Sequence, residues 1–92
     1  MNIKIEENAK KALLELLGES KDEYIRIKAM LACGSSYYEL YTDFKREDDT
    51  EEEFLSIPFV FDKYTYKAVK DIEIKYDKEI YNNGFYIKDI KK

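Results

Sequence analysis

Apolar residues near the N-terminus follow two different spacings. Ile3 and Ile5 alternate with polar neighbours, which indicates a short strand. The apolar residues that follow have the i, i+3, i+4, i+7, i+8 spacing of one helical face, and they are Ala9, Ala12, Leu13, Leu16 and Leu17. The pattern predicts an amphipathic helix over about residues 7–17, ending before Gly18, because glycine readily adopts the left-handed conformation found after helices.

Residues 24–33 alternate with a period of two, which is typical of strands. One face carries Ile25, Ile27, Ala29, Leu31 and Cys33, and the other carries Tyr24, Arg26, Lys28 and Met30. Residues 34–36, Gly-Ser-Ser, interrupt the run, and residues 37–44 form the next predicted strand. We therefore expect a β-hairpin whose turn region contains Cys33, the only thiol of the chain.

The segment from Lys45 to Glu53 is the most polar of the chain, with six carboxylates in nine residues. We expect a solvated loop here, since runs of charge are usually exposed. A calcium site at residues 47–53 is disfavoured, because the segment lacks the glycine bend and the alternating Asp/Asn spacing of a calcium loop. Residues 54–61 are apolar and β-prone, although Pro58 cannot donate to a sheet and so indicates an edge or a bend.

The C-terminal third returns to helix and strand signals. Asp62 is a candidate N-cap of a short helix that reaches about Lys70. Residues 72–76 alternate as a strand, residues 82–84 (Asn-Asn-Gly) signal a turn, and residues 85–87 form a last short strand. The order β-α-β-β-β-α-β-β predicts an α+β fold in a single domain over residues 1–92. Its small sheets should be mixed or mostly antiparallel, with one longer N-terminal helix and one short helix.

Composition excludes several kinds of site. The 92 residues include one Cys and no His. An internal disulfide, a zinc site of four Cys/His ligands, and Ser-His-Asp or Cys-His catalysis are therefore excluded within one chain. An enzyme would need carboxylate, Lys or Tyr chemistry, and no spacing of carboxylates singles out a pair. We expect a protein that is not an enzyme.

Charge and hydropathy argue against nucleic acid and membranes as partners of the protein. Residues 1–61 carry 8 basic and 14 acidic side chains and residues 62–92 carry 8 and 6, which gives the net charge of −4. This acidic balance argues against nucleic acid as a partner, so the nine Tyr are expected on sheet faces and interfaces. No apolar run is long enough to span a membrane, and residues 1–7 lack the order of a signal peptide. We expect a cytoplasmic protein with a free thiol.

Three stretches carry a resemblance to a known family. Residues 3–9 resemble a short strand that runs into a capped helix, and Cys33, followed by Gly-Ser-Ser and an aromatic strand, resembles a Gly-Cys-Ser-Gly turn. Residues 60–85 resemble the later strand, short helix, strand and Asn-x-Gly-Phe turn of the same family. In this order and over nearly the whole chain, the sequence resembles the HesB-like family of A-type iron–sulfur carriers, the IscA and SufA group.

The resemblance implies a HesB-like fold and a role in iron handling or iron–sulfur cluster assembly, with iron or a labile cluster as cofactor. Family carriers bear a further Cys-Gly-Cys pair beyond the Gly-Phe strand, and this chain, a divergent relative by this reading, ends at Lys92 without it. Only Cys33 carries over as a metal and cluster ligand. The other ligands would come from the second subunit of a homodimer, a small thiol or an iron–sulfur assembly protein.

Two other interpretations of Cys33 stay open. In the first, Cys33 is a small, inert residue retained for packing, and the chain is a metal-free interaction module that keeps the fold and binds no cofactor. In the second, Cys33 is a catalytic nucleophile. That role is disfavoured, because no His is present to activate the thiol and Arg26 and Lys28 are predicted on the opposite face.

Overall fold

A computed structural model describes residues 2–19, 22–32, 35–79 and 84–90. In these segments the chain forms seven strands and two helices. In chain order they are β1 (Asn2–Ile5), α1 (Glu7–Leu17), β2 (Tyr24–Ala32), β3 (Ser35–Asp43), β4 (Thr50–Phe54), β5 (Ile57–Phe61), α2 (Lys63–Ala68), β6 (Asp71–Tyr76) and β7 (Phe85–Asp89).

The strands form two mixed sheets. The three-stranded sheet has the order β1-β6-β7, in which β1 is parallel and β7 antiparallel to β6. The four-stranded sheet has the order β3-β2-β5-β4, in which β2 and β5 are parallel and the other pairs antiparallel. The α+β class and the mixed sheets are as the sequence predicts.

The N-terminal strand and helix also follow the prediction. Helix α1 is 11 residues long, about three turns, and Gly18 beyond it has a φ of 59°. Its apolar stripe places Ala9 and Leu13 in the core, where α1 packs mainly on β6. The helix therefore covers the face of the three-stranded sheet that carries Ile3, Ile72 and Ile74.

The β2–β3 hairpin is present but longer than predicted. Strand β3 begins at Ser35, which pairs with Ala32, so residues 35 and 36 extend the strand where the sequence indicated a break. The same antiparallel register continues to the other end of the hairpin, where Ile25 lies opposite Thr42. Cys33 lies between the two strands in sequence and outside the described residues, so its predicted place on the buried face stays a prediction.

The segment predicted as a solvated loop contains a strand, which corrects the expectation for residues 45–53. Thr50–Phe54 form β4 and pair with β5 in an antiparallel hairpin. The two connecting residues, Leu55 and Ser56, have φ of 52° and 67°, and a type I′ turn requires positive φ at both positions. The sequence concealed this hairpin because neither residue is the Asn or Gly that usually marks such a turn.

Pro58 does not place its strand at an edge, contrary to the expectation. Strand β5 lies between β2 and β4. Its parallel pairing with β2 begins at Phe59, opposite Ile25, so Pro58 precedes that ladder. The missing N–H of Pro58 is therefore tolerated in an internal strand.

Helix α2 begins as predicted and connects two layers. The carboxylate of Asp62 accepts a hydrogen bond of 2.7 Å from the Thr65 amide, which is an N-cap. Inside the helix, the fully buried Thr65 hydroxyl accepts a 3.0 Å hydrogen bond from the Ala29 amide of β2. The helix ends at Ala68, before the predicted Lys70. The Thr65 hydroxyl thus provides the hydrogen-bond acceptor for the Ala29 amide, which lies beyond the pairing of β2 with β5.

The turn before β7 requires glycine at residue 84. Gly84 has a φ of 92°, and a Cβ there would lie 2.7 Å from Cε1 of Tyr76. The Tyr76 ring in turn packs against Phe85 at 5.2 Å between centroids. The turn signal at Gly84 is therefore explained by a close approach to the ring as well as by backbone conformation.

The core lies between the inner faces of the two sheets and the inner face of α1. Its fully buried side chains interdigitate with few polar groups. They include Leu13, Ile25, Ile27, Leu40, Ile57, Phe59, Phe61, Ile72, Ile74 and Phe85.

The Thr65–Ala29 hydrogen bond gives a testable prediction. Thr65→Val preserves shape but leaves the buried Ala29 amide without an acceptor, so we expect a loss of about 1–3 kcal/mol in the free energy of unfolding. Thr65→Ser keeps the hydroxyl and should lose only about 1 kcal/mol for the missing methyl group. Urea denaturation measures both, and equal losses would show that the hydrogen bond adds nothing.

The β4–β5 turn gives a second prediction. Replacing Leu55→Asn and Ser56→Gly together supplies residues that accept positive φ, so stability should rise by about 1 kcal/mol. The control Leu55→Ala keeps a Cβ at positive φ and should change stability by less than about 0.5 kcal/mol. Thermal or urea unfolding checks the pair, and an unchanged midpoint in the double variant contradicts the assigned strain.

Candidate functional site

A buried arginine holds the β3–β4 connection against the four-stranded sheet. Arg26 lies on the outer face of β2, opposite to Ile25 and Ile27 as predicted, yet only 2% of its surface is exposed. Its Nε donates to Asp43 at 2.6 Å, its Nη1 donates to Asp49 at 3.2 Å, and its Nη2 also donates to Asp49. Nη2 further donates to the Phe44 carbonyl at 3.2 Å. Each of the three guanidinium nitrogens therefore donates to at least one acceptor.

In this cluster, Arg26 stabilises the ionised forms of Asp43 and Asp49, and the two carboxylates stabilise the charged form of Arg26. The hydrogen bond from Arg26 lowers the pKa of Asp49 and outweighs the opposing effect of burial. Burial also opposes ionisation of Asp43, but the Phe44 amide and Arg26 together bring the pKa of Asp43 below its ordinary value. The hydrogen bond to Asp49 raises the pKa of Arg26 against the effect of desolvation. The cluster is thus charged at neutral pH.

The acidic segment is therefore partly structural, in contrast to the solvated loop that its composition indicates. Only 5% of the Asp49 side chain is exposed, and its carboxylate also accepts a 2.7 Å hydrogen bond from the Arg46 amide. The sequence could not show this contact, since Arg26 and Asp49 are 23 residues apart. One carboxylate of the acidic segment, Asp49, therefore compensates the charge of Arg26 together with Asp43 of β3.

A cleft of about 420 Å³ opens between the two sheets, and we call it the inter-sheet cleft. Ala29 and Met30 of β2 line one side, and Tyr64 and Ala68 of α2 line another. The Tyr64 side chain, 54% exposed, stands at the rim. The cleft lies beside the last third of β2, the strand that leads in sequence to Cys33.

The polar end of the inter-sheet cleft joins the two sheets. Tyr38 of β3 donates a 2.5 Å hydrogen bond to the carboxylate of Asp89 in β7. Burial and this hydrogen bond raise the pKa of Tyr38, so its hydroxyl remains protonated and acts as the donor. Lys70, Asp71 and Ile90 complete the lining. The cleft therefore combines aromatic and small apolar surfaces with two carboxylates and one amine.

The other predicted surface tyrosines have distinct environments. Tyr66 packs on Phe61 with 6.0 Å between ring centroids, and its hydroxyl donates to Glu52 at 2.8 Å. This hydrogen bond raises the pKa of Tyr66. Tyr37 and Tyr86 are largely exposed. Tyr66 thus contributes to packing, and Tyr37 and Tyr86 belong to the surface.

The described segments do not form a metal site by themselves. Among residues 2–19, 22–32, 35–79 and 84–90, no three Cys, His, Asp or Glu side chains come together as metal ligands. An iron–sulfur cluster is normally held by four thiolates, and the chain has one Cys and no His. The donor set of one chain therefore does not fit a cluster without ligands from another molecule.

The helices of the described part of the chain are too short to cross a membrane: none is both long and apolar enough. The longer of the two, α1, has 11 residues, where about 20 are needed.

A comparison with solved structures finds a protein of the same architecture. The crystal structure of Escherichia coli SufA, involved in the biosynthesis of iron–sulfur clusters, superposes with a TM-score of 0.72. The match covers 96% of this chain and 80% of SufA at 15% sequence identity. This chain has a SufA-like fold. No protein-family model matches the sequence, and the search of curated proteins gives no match either. The SufA-like fold agrees with the HesB-like architecture expected from the sequence.

The Arg26 cluster predicts acid sensitivity. Carboxylates whose pKa is lowered by folding bind fewer protons in the folded state, so their stabilisation is complete above the unfolded value near 3.8 and is lost as pH falls through the lowered values. Asp49→Asn should reduce stability at neutral pH by about 1–3 kcal/mol and flatten its decline below about pH 4.

Urea denaturation between neutral pH and about pH 2 measures this dependence. The exposed Glu53 of β4 offers a matched control, since Glu53→Gln removes the same charge at a surface position and should leave the profile near that of the parent protein. A parent-like profile in Asp49→Asn would contradict the role assigned to the cluster.

Proposed function

We propose that this protein acts in iron handling or iron–sulfur cluster assembly, with Cys33 as the ligand contributed by the chain. The observation that carries the proposal is the SufA-like fold over 96% of the chain. SufA is involved in the biosynthesis of iron–sulfur clusters. The position of Cys33 supports the same role, because it follows β2 directly in sequence, where the family resemblance expects a ligand.

The proposed site is shared between molecules. One thiolate leaves most of the coordination of an iron–sulfur cluster to other donors. A homodimer would supply a second Cys33 through its two-fold axis, and a small thiol or an assembly protein would supply the rest. Such a site exchanges its cargo easily, which suits transfer rather than storage. The proposed role is delivery of metal or cluster and not catalysis.

Anaerobic reconstitution tests the proposal. The full chain is incubated with ferrous iron, sulfide and excess small thiol, and bound iron and the visible absorption spectrum are measured after desalting. We expect iron and a charge-transfer band that depend on Cys33, with at least about a tenfold loss in Cys33→Ala. Cys33→Ser serves as the size-matched control, since it keeps the volume of the side chain and removes the thiolate. Equal iron uptake by all three proteins, or no uptake by the parent, contradicts the proposal.

A second candidate function is a metal-free interaction module. The observation that favours it is the inter-sheet cleft, which carries exposed aromatic and charged side chains independent of Cys33. In this case Cys33→Ala would keep the stability and the partner binding of the parent protein. The reconstitution above separates the two functions, because only the first requires the thiolate.

A further inference from the structure

Strand β4 ends the four-stranded sheet, and we call the free side of its residues 50–54 the β4 edge. The strand pairs with β5 on one side, and among the described strands none lies on the other side. Outside its hairpin with β5, β4 makes no backbone hydrogen bond within the described part of the chain. Glu51 and Glu53 are exposed, so solvent reaches this edge. A strand edge of this kind can accept a further strand.

The backbone groups that the β4 edge presents belong to Glu51 and Glu53. Opposite residues of an antiparallel pair either exchange two N–H···O bonds or direct these groups away from each other, and the two kinds of pair alternate. Glu53 lies opposite Pro58, which has no N–H to donate, so this pair is of the second kind. By alternation, the pair of Glu51 with Val60 is too. The N–H and C=O groups of both glutamates therefore point away from β5.

The side chains of the same two residues give one face of the β4 edge a negative charge. Glu53 has no hydrogen-bond or ion-pair partner among the described residues. Glu51 has a 3.7 Å contact with Lys45, and both side chains are exposed. Exposed pairs of this kind contribute little, so Glu51 can exchange Lys45 for another cation. Glu52 lies on the other face, where it already accepts a hydrogen bond from Tyr66.

This charge pattern selects one kind of occupant. Two copies of the chain that paired through β4 would bring glutamates together, because residues 51–53 are all Glu. Like charges on opposite strands destabilise the pairing, whereas opposite charges stabilise it. On the other face, the half-buried Phe54 offers an apolar contact. The β4 edge therefore disfavours self-association and favours a strand that alternates basic with apolar residues.

We propose that the β4 edge binds an extended segment of a partner protein that carries Lys or Arg at alternate positions. The segment adds a strand to the four-stranded sheet, bonds to the backbone of Glu51 and Glu53, and places its basic side chains beside their carboxylates. Strand addition takes affinity from main-chain hydrogen bonds and selectivity from alternate side chains. This interaction goes beyond the proposed function and requires neither Cys33 nor a metal.

An amide-resolved titration tests the proposal. The probe is the capped peptide Thr-Val-Lys-Val-Lys-Val-Thr, whose sequence is the same in both directions, added to the ¹⁵N-labelled full chain at about 0.15 M salt. We expect saturable shifts along β4 with a dissociation constant of about 0.5 mM. Hydrogen exchange of the Glu51 and Glu53 amides should slow by at least about threefold at saturation. The Glu52 amide, which faces β5, is the internal control and should change little.

Two further peptides separate charge from strand register. A peptide with Gln in place of both Lys should bind about fivefold more weakly, because it loses two opposite-charge pairs. The peptide Thr-Val-Lys-Lys-Val-Val-Thr has the composition of the probe but places its two Lys on opposite faces of a strand. It should bind about twofold more weakly than the probe, because only one Lys can lie beside the glutamates.

Two variants and one matched control separate the backbone from the side chain. Glu53→Pro removes an N–H that points away from β5 and should weaken the probe by at least about fivefold. Glu53→Gln keeps that N–H, loses the charge and should weaken the probe by about twofold. Asp48→Asn removes a charge from an exposed residue of the preceding loop, outside β4, and should bind the probe as the parent protein does.

The readouts on the parent protein decide the outcome even where Glu53→Pro fails to fold. Shifts along β4 with slower exchange at Glu51 and Glu53 support the proposal, whether or not the chain takes up iron. The proposal is overturned by an absence of shifts at about 5 mM peptide, by shifts without slower exchange, or by equal binding of the Lys and Gln peptides. Slower exchange at these amides on concentrating the protein alone would assign the edge to a second copy and overturn it as well.

Discussion

The charge of Arg26 has to be compensated on the outer face of the central strand, and the architecture around β2 follows from that constraint. A buried ion costs several kcal/mol in lost hydration unless acceptors surround it. The acceptors come from the end of β3 and from the loop after it, Asp43 and Asp49. The loop that carries Asp49 connects β3 at one edge of the sheet to β4 at the other. The ion cluster thus anchors the connection that brings β4 to its place beside β5.

Local signals predicted the elements whose stability is decided within a few residues. The stripe that includes Ala9 and Leu13 gave α1, and Asp62 marked the start of α2. The β4–β5 hairpin was missed because Leu55 and Ser56 adopt positive φ without the residue types that usually signal it. Three consecutive Glu in β4 also concealed a strand, since two of them face solvent at an edge. In both cases tertiary packing outweighed local preference.

The candidate sites also divide into features that the local sequence predicts and features that arise only from tertiary packing. The sequence identified Cys33 as the only thiol, and composition alone established that one chain lacks the donors for a cluster. The inter-sheet cleft could not be predicted, because it arises where the short helix α2, the end of β7 and strands β2 and β3 meet. Its Tyr38–Asp89 bond joins residues 51 positions apart. A contact between residues so far apart in sequence cannot be predicted from the periodicity of a helix or strand.

The parallel pairing of β1 with β6 has a consequence for synthesis of the chain. Asn2 lies opposite Asp71, so β1 pairs with a strand that is synthesised after the whole of the larger sheet. All four strands of the larger sheet precede β6 in sequence, whereas α1 packs mainly on β6. During translation the apolar side of α1 therefore lacks its main partner until β6 has emerged. Contacts between such distant segments slow folding, so the apolar stripe of α1 remains without its main cover while the larger sheet is being synthesised.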